Sequence, residues 1–471
     1  MRFGRSRIAL ALLLVAVAGP APARAHIGSP DVFIEGQAGP YRVLVTVRPP
    51  YAIPGIAEVD VQVTSDDIRD VRIVPLPLTG EGAQFAPVAD RASRSAEDPR
   101  LFTGHLWLMS AGAWQVRVTV AGDRGEGLLA VPVPTLPQST LAMNPLLRAT
   151  LFALMLLLAA GFVGIVSALA REAGLAAGEV IDRRARWRGR LAGAVAAVVV
   201  AGIVFLGNRW WTAEASSYAQ YVYKPLAATP TVTPEARLRL DLSDPGWIGS
   251  RRLDDFVPDH GHLMHLFVVS PALDRFWHLH PDEIETGAFE QRLPDLPSGQ
   301  YELFADLVHA TGVSETVTGR LDTAEIHGAP LAGDDSAWTE GGGLGGHIAW
   351  VRDSAPLVPK RLTLFTFRVD DENGQPARDL ELYMGMPGHA VFLRRDRKVF
   401  AHVHPSGSAP MAAMEIAMPS SLAHAQHLAG SSPPSTVTFP YGFPEPGDYR
   451  IFVQVKRAGG VLTGVFDANV K

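Results

Sequence analysis

A histidine triad at fixed spacing occurs twice in this chain. GHLMHLFVVSPALDRFWHLHP holds His265, His278 and His280, and GMPGHAVFLRRDRKVFAHVHP holds His389, His402 and His404. In both, the first histidine lies thirteen residues ahead of the H-x-H-P pair. A strand sends positions i and i+2 to one face, so the paired histidines point the same way. The preceding strand carries the first histidine, joined by a short connection: Ser270 to Asp274 in one copy, Arg394 to Arg397 in the other. Antiparallel pairing through such a turn puts it opposite or diagonal to the pair, with Cβ atoms about 5 Å apart. Each copy therefore calls for a strand–turn–strand unit, and two copies call for a duplicated β domain. A second repeat agrees: Gly299, Tyr301 and Phe304 match Gly447, Tyr449 and Phe452, a glycine turn feeding an alternating strand.

Three convergent imidazoles suit Cu(II) or Zn(II), with an open fourth position for water or exchange. The competing reading is that strand histidines pack and hydrogen-bond backbone carbonyls. Accessory donors differ between the copies. The first adds His260, His262 and Met264, with His309 further on. The second adds Met384, Met386 and an insertion holding Met411, Met414, Met418, His424 and His427. Met411, Met414 and Met418 fall at i, i+3 and i+7, one face of a short helix. Thioethers prefer Cu(I) and imidazole tolerates both copper states, so the mixture favours copper over zinc. Methionines that merely fill core gaps are the alternative.

The pattern GHxxxL…HxHP…GxYxLF is similar to the bacterial YtkA-like domain, a small exported immunoglobulin-like sandwich often met near copper and heavy-metal functions. The resemblance covers the two repeats. It implies an immunoglobulin-like fold for each and points towards metal handling.

Residues 1–25 read as a secretory signal: Arg2, Arg5 and Arg7, then an apolar run from Ile8 to Ala18, then Ala23-Arg24-Ala25. Its removal takes net charge from −6 to −10, because the segment carries four arginines and no acid. An acidic exported chain disfavours nucleic acid as a partner. The chain has no cysteine, which excludes disulfides and every thiolate metal site.

Residues 149–170 are free of charge and long enough to cross a bilayer. Residues 191–207 are apolar and run into Arg209, Trp210 and Trp211, an interfacial signature. Between them, residues 171–190 carry six arginines against three acids, a positive-inside loop. The expected chain is mainly β: three immunoglobulin-like β-sandwich domains and a two-helix transmembrane hairpin in the inner (cytoplasmic) membrane. The sandwiches, 26–137, 211–325 and 347–471, are expected in the periplasm, with 333–346 a Gly-rich linker before the last. The 26–137 segment earns this from period-two runs such as Val43, Val45 and Val47.

Cleavage after Ala25 makes His26 the first residue, able to chelate copper through its α-amino group and ring. His105 is the candidate second ligand. This resembles the histidine brace of lytic monooxygenases and copper-resistance carriers, and gives a copper enzyme as one reading. No G-x-S-x-G, H-E-x-x-H, P-loop or dinucleotide fingerprint marks another enzyme class. The leading expectation is copper capture, buffering or hand-off, with a copper transporter, an oxidase-assembly factor or another envelope protein as partner. A metal-free immunoglobulin-like scaffold is the alternative.

Overall fold

The computed structural model describes residues 30–141, 143–176, 178–247, 251–341, 347–418 and 433–471. They form two compact units: Ser139–Val222, and the residues up to Gln138 together with Tyr223–Lys471. His26, His424 and His427 lie outside the described residues.

The first unit is a pair of helices, Pro145–Glu172 (α1) and Arg183–Ala219 (α2), each long and apolar enough to cross a membrane. Asn144 caps α1, its side chain accepting from the Leu146 and Leu147 amides, with Pro145 in the first turn. Asp182 caps α2 by accepting from the Ala185 amide at 2.6 Å. The helices touch where Ser167 donates to the Gly189 carbonyl, a backbone approach that a side chain at Gly189 would block. Both helices exceed the apolar segments of the sequence. The arginines between 183 and 190, expected in a loop, form the first turns of α2, and Trp211 to Ala219 continue it. The Asp182 cap starts the helix early, and no proline intervenes to stop it.

The second unit is built of sheets. Between residues 32 and 135, a five-stranded and a four-stranded sheet enclose one core of alternating residues such as Val43, Val45, Val47, Val116, Val118 and Val120. The first strand, Val32–Ala38 (β1), reappears below.

The first repeat is one nine-stranded sheet. It ends in the sequence Gly299–Val308 (β4), Met264–Val269 (β2), Arg275–Leu279 (β3) and Ser336–Thr339 (β5). The segment expected as a linker thus contributes β5, which pairs with β3 so that Ser336 faces His278. Ser336, Trp338 and their neighbours alternate well enough to form an edge strand; the glycines begin only afterwards. In the second repeat, His389–Arg394 (β6) lies between Phe400–Val403 (β7) and Gly447–Arg457 (β8), the same order as β3, β2 and β4.

In β2 and β6 nearly every residue is buried, on both faces. One parity serves each repeat's own core: Met264, Leu266 and Val268 in the first, Ala390 and Phe392 in the second. The other parity meets the other repeat. Phe267, Val269, Phe276 and Phe304 share a core with Val391, Leu393, Phe400 and Phe452. The contact is reciprocal: Phe276 stacks on Phe452 at 4.3 Å between centroids, and Phe400, its counterpart, stacks on Phe304 at 4.6 Å. Such pairs contribute about 0.5–1.5 kcal/mol each beyond buried area. The repeats therefore meet about a pseudo-twofold axis.

The leading domain is tied to the second repeat by exchange. Phe33 from β1 is fully buried in that repeat's core, against Tyr441. In return the short helix Met411–Ala417 (α3) sends Met414, Ala417 and adjoining Met418 into the leading domain's core.

Candidate metal centre

The face-to-face packing brings the two triads, expected as separate sites, into one buried cluster. Phe267 is opposite His278 in the β2–β3 register, so His265 falls diagonal to His278 and level with His280; Val391 opposite His402 does the same for the second copy. The triads nearly superpose. Ring centroids are 5.4, 5.0 and 4.6 Å apart for 265–278, 265–280 and 278–280, against 5.4, 5.1 and 4.6 Å for 389–402, 389–404 and 402–404. Between triads, His265 and His402 are 5.3 Å apart and His278 and His402 5.7 Å.

Four of the six triad rings are hydrogen-bonded through an outer nitrogen. His265 Nε2 donates to the Asp259 carbonyl and His389 Nε2 to the Tyr383 carbonyl, both at 3.0 Å. His278 Nδ1 donates to Gln454 Oε1 at 2.9 Å, and Ser336 fixes that amide by accepting from Gln454 Nε2. His402 Nδ1 faces Asp306 Oδ2 at 3.5 Å. Asp306 and Gln454 occupy matching positions opposite His265 and His389, so each repeat orients a histidine of the other. His280 Nδ1 is held by Asp335 at 3.0 Å.

The anchors on His265 and His278 set the tautomers of those two rings. With protons on His265 Nε2 and His278 Nδ1, the remaining atoms, His265 Nδ1 and His278 Nε2, are both lone pairs, yet they face each other at 3.1 Å. His389 Nδ1 and His402 Nε2 also face each other, at 3.2 Å, where a proton on His402 Nε2 can bridge them. The two acceptors of the His265–His278 pair repel at that distance unless a cation lies between them. Two imidazoles on one tetrahedral ion, with bonds of about 2.0–2.1 Å, stand about 3.3 Å apart. Among the described residues, His280 Nε2 is buried without a hydrogen bond, and neither His404 nitrogen makes a well-formed one, although the Ala409 backbone lies close enough to favour its cation slightly. Carbonyl and carboxylate partners on the outer nitrogen are the usual support of a metal-binding histidine.

Two groups can therefore hold a metal ion, each with donor atoms within 4.8 Å of one another. One is His265, His278 and His280, as the spacing predicts. The other is His389 and His404 with His260 from the first repeat, in place of His402. His260 stands 5.1 Å from His389 and 4.6 Å from His404 between ring centroids.

Burial is the main force on these rings. It holds His265, His278, His389, His402 and His404 well below the usual imidazole range, and lowers His280. Neighbouring imidazoles push the same way; at His280, Asp335 opposes. The centre is neutral imidazole, the form that binds a cation. A cavity lined by Asp31, Asp259, Asp306, His265, His402 and His404 reaches it.

The accessory residues divide. His262 stacks on His280 at 4.0 Å and lies 3.4 Å from Asp334. Met384 and Met386 are buried. Met264 does not join the centre, because strand alternation turns it into the first repeat's core. His309, three residues past Asp306 and of opposite parity, is taken up by Asp255 at 2.7 Å and lies 3.8 Å from Glu315. Met414 and Met418 serve the leading domain's core, while Met411 is half-buried with Sδ 3.8 Å from Ser406 Oγ. His105 sits on an exposed face with Trp107 and Met109, opposite Glu58. Four supporting residues, Asp306, Asp334, Asp335 and Gln454, lay outside the predicted set. Asp334 and Asp335 passed as linker; their position just before an alternating segment was the available signal.

Residues 220–325 and 347–471 match the model of a domain of unknown function (DUF8832), a little under half of the chain. The matched stretches are the two repeats. No curated protein sequence matches the chain. Among solved structures it is similar to dimeric latent PorU from Porphyromonas gingivalis (9% identity, TM-score 0.15, covering 89% of this chain and 32% of that one). It is also similar to Salmonella alpha-2-macroglobulin (13%, 0.17, 92% and 22%) and the Escherichia coli adhesin FdeC (10%, 0.16, 96% and 99%). It spans about a third of the first and a fifth of the second. Similarity at this level carries no activity across.

Proposed function

We propose that the chain is a membrane-tethered, extracytoplasmic metal-binding protein, with copper as the metal and capture, buffering or hand-off as the role. The observation that carries this is the facing of His265 Nδ1 and His278 Nε2, buried at 3.1 Å with both outer nitrogens hydrogen-bonded to acceptors. A protein-only interface gains nothing from that arrangement; a shared cation stabilises it. Copper is preferred to zinc because buried methionines accompany the imidazoles. The resemblance to YtkA-like domains points the same way for function. Its GHxxxL element, however, falls on unlike places: Gly261-His262 in a turn and Gly388-His389 at a strand start.

A metal-free, immunoglobulin-like envelope scaffold is the second reading, favoured by the aromatic stacks that join the repeats without any ion. Metal analysis separates the two. The full chain in detergent micelles, dialysed after exposure to Cu(II) or Zn(II), is expected to retain about two equivalents. The H280A/H404A variant, which removes rings without a well-formed inner hydrogen bond, is expected to lose most of it while keeping the far-ultraviolet circular dichroism of the folded chain. No retained metal in the unaltered chain overturns the metal reading.

A further inference from the structure

The turn before each triad is the same structure carrying different donors. Asp259 and His262 exchange backbone hydrogen bonds at 2.8 and 3.1 Å around His260 (φ 52°) and Gly261 (φ 88°). Tyr383 and Met386 do so at 2.8 and 3.0 Å around Met384 (φ 51°) and Gly385 (φ 78°). Both are two-residue turns with positive φ at each central position, where Asn, Asp or Gly is the usual first residue. A methionine in that place is a costly choice, and strained positions of this kind collect where the side chain has a task.

The pseudo-twofold axis says what the task is. Phe276 meets Phe452 as Phe400 meets Phe304, and His278 meets Gln454 as His402 meets Asp306. The same operation would carry Met384 towards His265 and His280, as His260 reaches His389 and His404. Met384 is 8% exposed.

We infer that the centre holds two unlike metal sites. His260, His389 and His404 form an all-imidazole site. Met384 completes His265, His278 and His280 as a mixed imidazole–thioether site that takes a soft monovalent cation, Cu(I) or its stand-in Ag(I). Each site is closed by a residue from the other repeat. The inference rests on the metal-binding reading above.

The test uses the full chain in detergent micelles, titrated with Cu(I) against a colorimetric chelator and separately with Zn(II), with X-ray absorption on the Cu(I)-loaded protein. Two variants are compared: Met384→Leu, which keeps volume and removes sulfur, and Met384→His, which copies the first turn. In the unaltered chain a sulfur shell is expected at Cu(I). M384L is expected to lose that shell and to weaken one Cu(I) equivalent by about tenfold to a hundredfold, with Zn(II) binding unchanged. M384H is expected to gain Zn(II) affinity at the same equivalent, which also confirms that the turn folds. Nitrogen-only coordination in the unaltered chain, or a sulfur shell surviving in M384L, overturns this inference and leaves the metal reading standing. No metal in the unaltered chain overturns the metal reading itself.

Discussion

The two repeats carry the same triad on the same strands with ring spacings that agree to 0.1 Å, and they differ in what reaches those rings from outside. The first has His260 where the second has Met384, and Asp306 where the second has Gln454. Strand register and core parity are thus held constant while turn and anchor residues vary. A duplicated domain can change its metal chemistry this way without disturbing its fold.

Acid should act on both halves alike and most strongly. Six imidazoles have folded pKa values depressed by burial, so their stabilisation is intact above the unfolded value near 6.5 and is lost as pH falls below it. Each such group costs about 1.4 kcal/mol per pH unit in that window. Chemical denaturation of the metal-free chain at pH 7 and pH 5 should show a loss of several kcal/mol. A flat profile would mean that the rings charge freely and are not enclosed.

Next in size are the reciprocal stacks. Phe276→Ala and Phe400→Ala each remove a buried ring facing the other repeat, at a cost of about 3–5 kcal/mol. Matching losses in unfolding free energy would support the pseudo-twofold contact; a loss confined to one variant would break it.

The smallest effect separates the halves. Burial pushes the Asp306 carboxyl up to about 7, and the Thr316 hydroxyl that donates to it offsets only part of this. An acid raised in the fold stabilises below its unfolded pKa and loses that contribution as pH rises through the folded one. D306N, which makes this anchor an amide like Gln454, should therefore stabilise the chain at pH 8 by up to about 4 kcal/mol and hardly at all at pH 4. An equal shift in unfolding temperature at both values would refute the assignment.

Much of this was legible. Spacing gave the triads, and period two gave the face on which they lie. The partner of that face was not legible, because the run from Leu266 to Val269 reads as a buried strand whichever surface covers it. The turn equivalence was present in the sequence: the 124-residue offset between the triads also carries His260 to Met384 and His262 to Met386. It stayed hidden because His and Met look unrelated until both are seen to hold positive φ beside a glycine. Asp335 was missed for the opposite reason, since glycine-rich surroundings conceal a short edge strand.

The amide of Tyr223 donates to the carbonyl of Pro137 at 2.8 Å. The helical segment is therefore spliced into a body whose chain is already closed at the splice. The β unit does not depend on the helices for its connectivity, and a short turn from Gln138 to Tyr223 would release it as a water-soluble protein with its histidines in place.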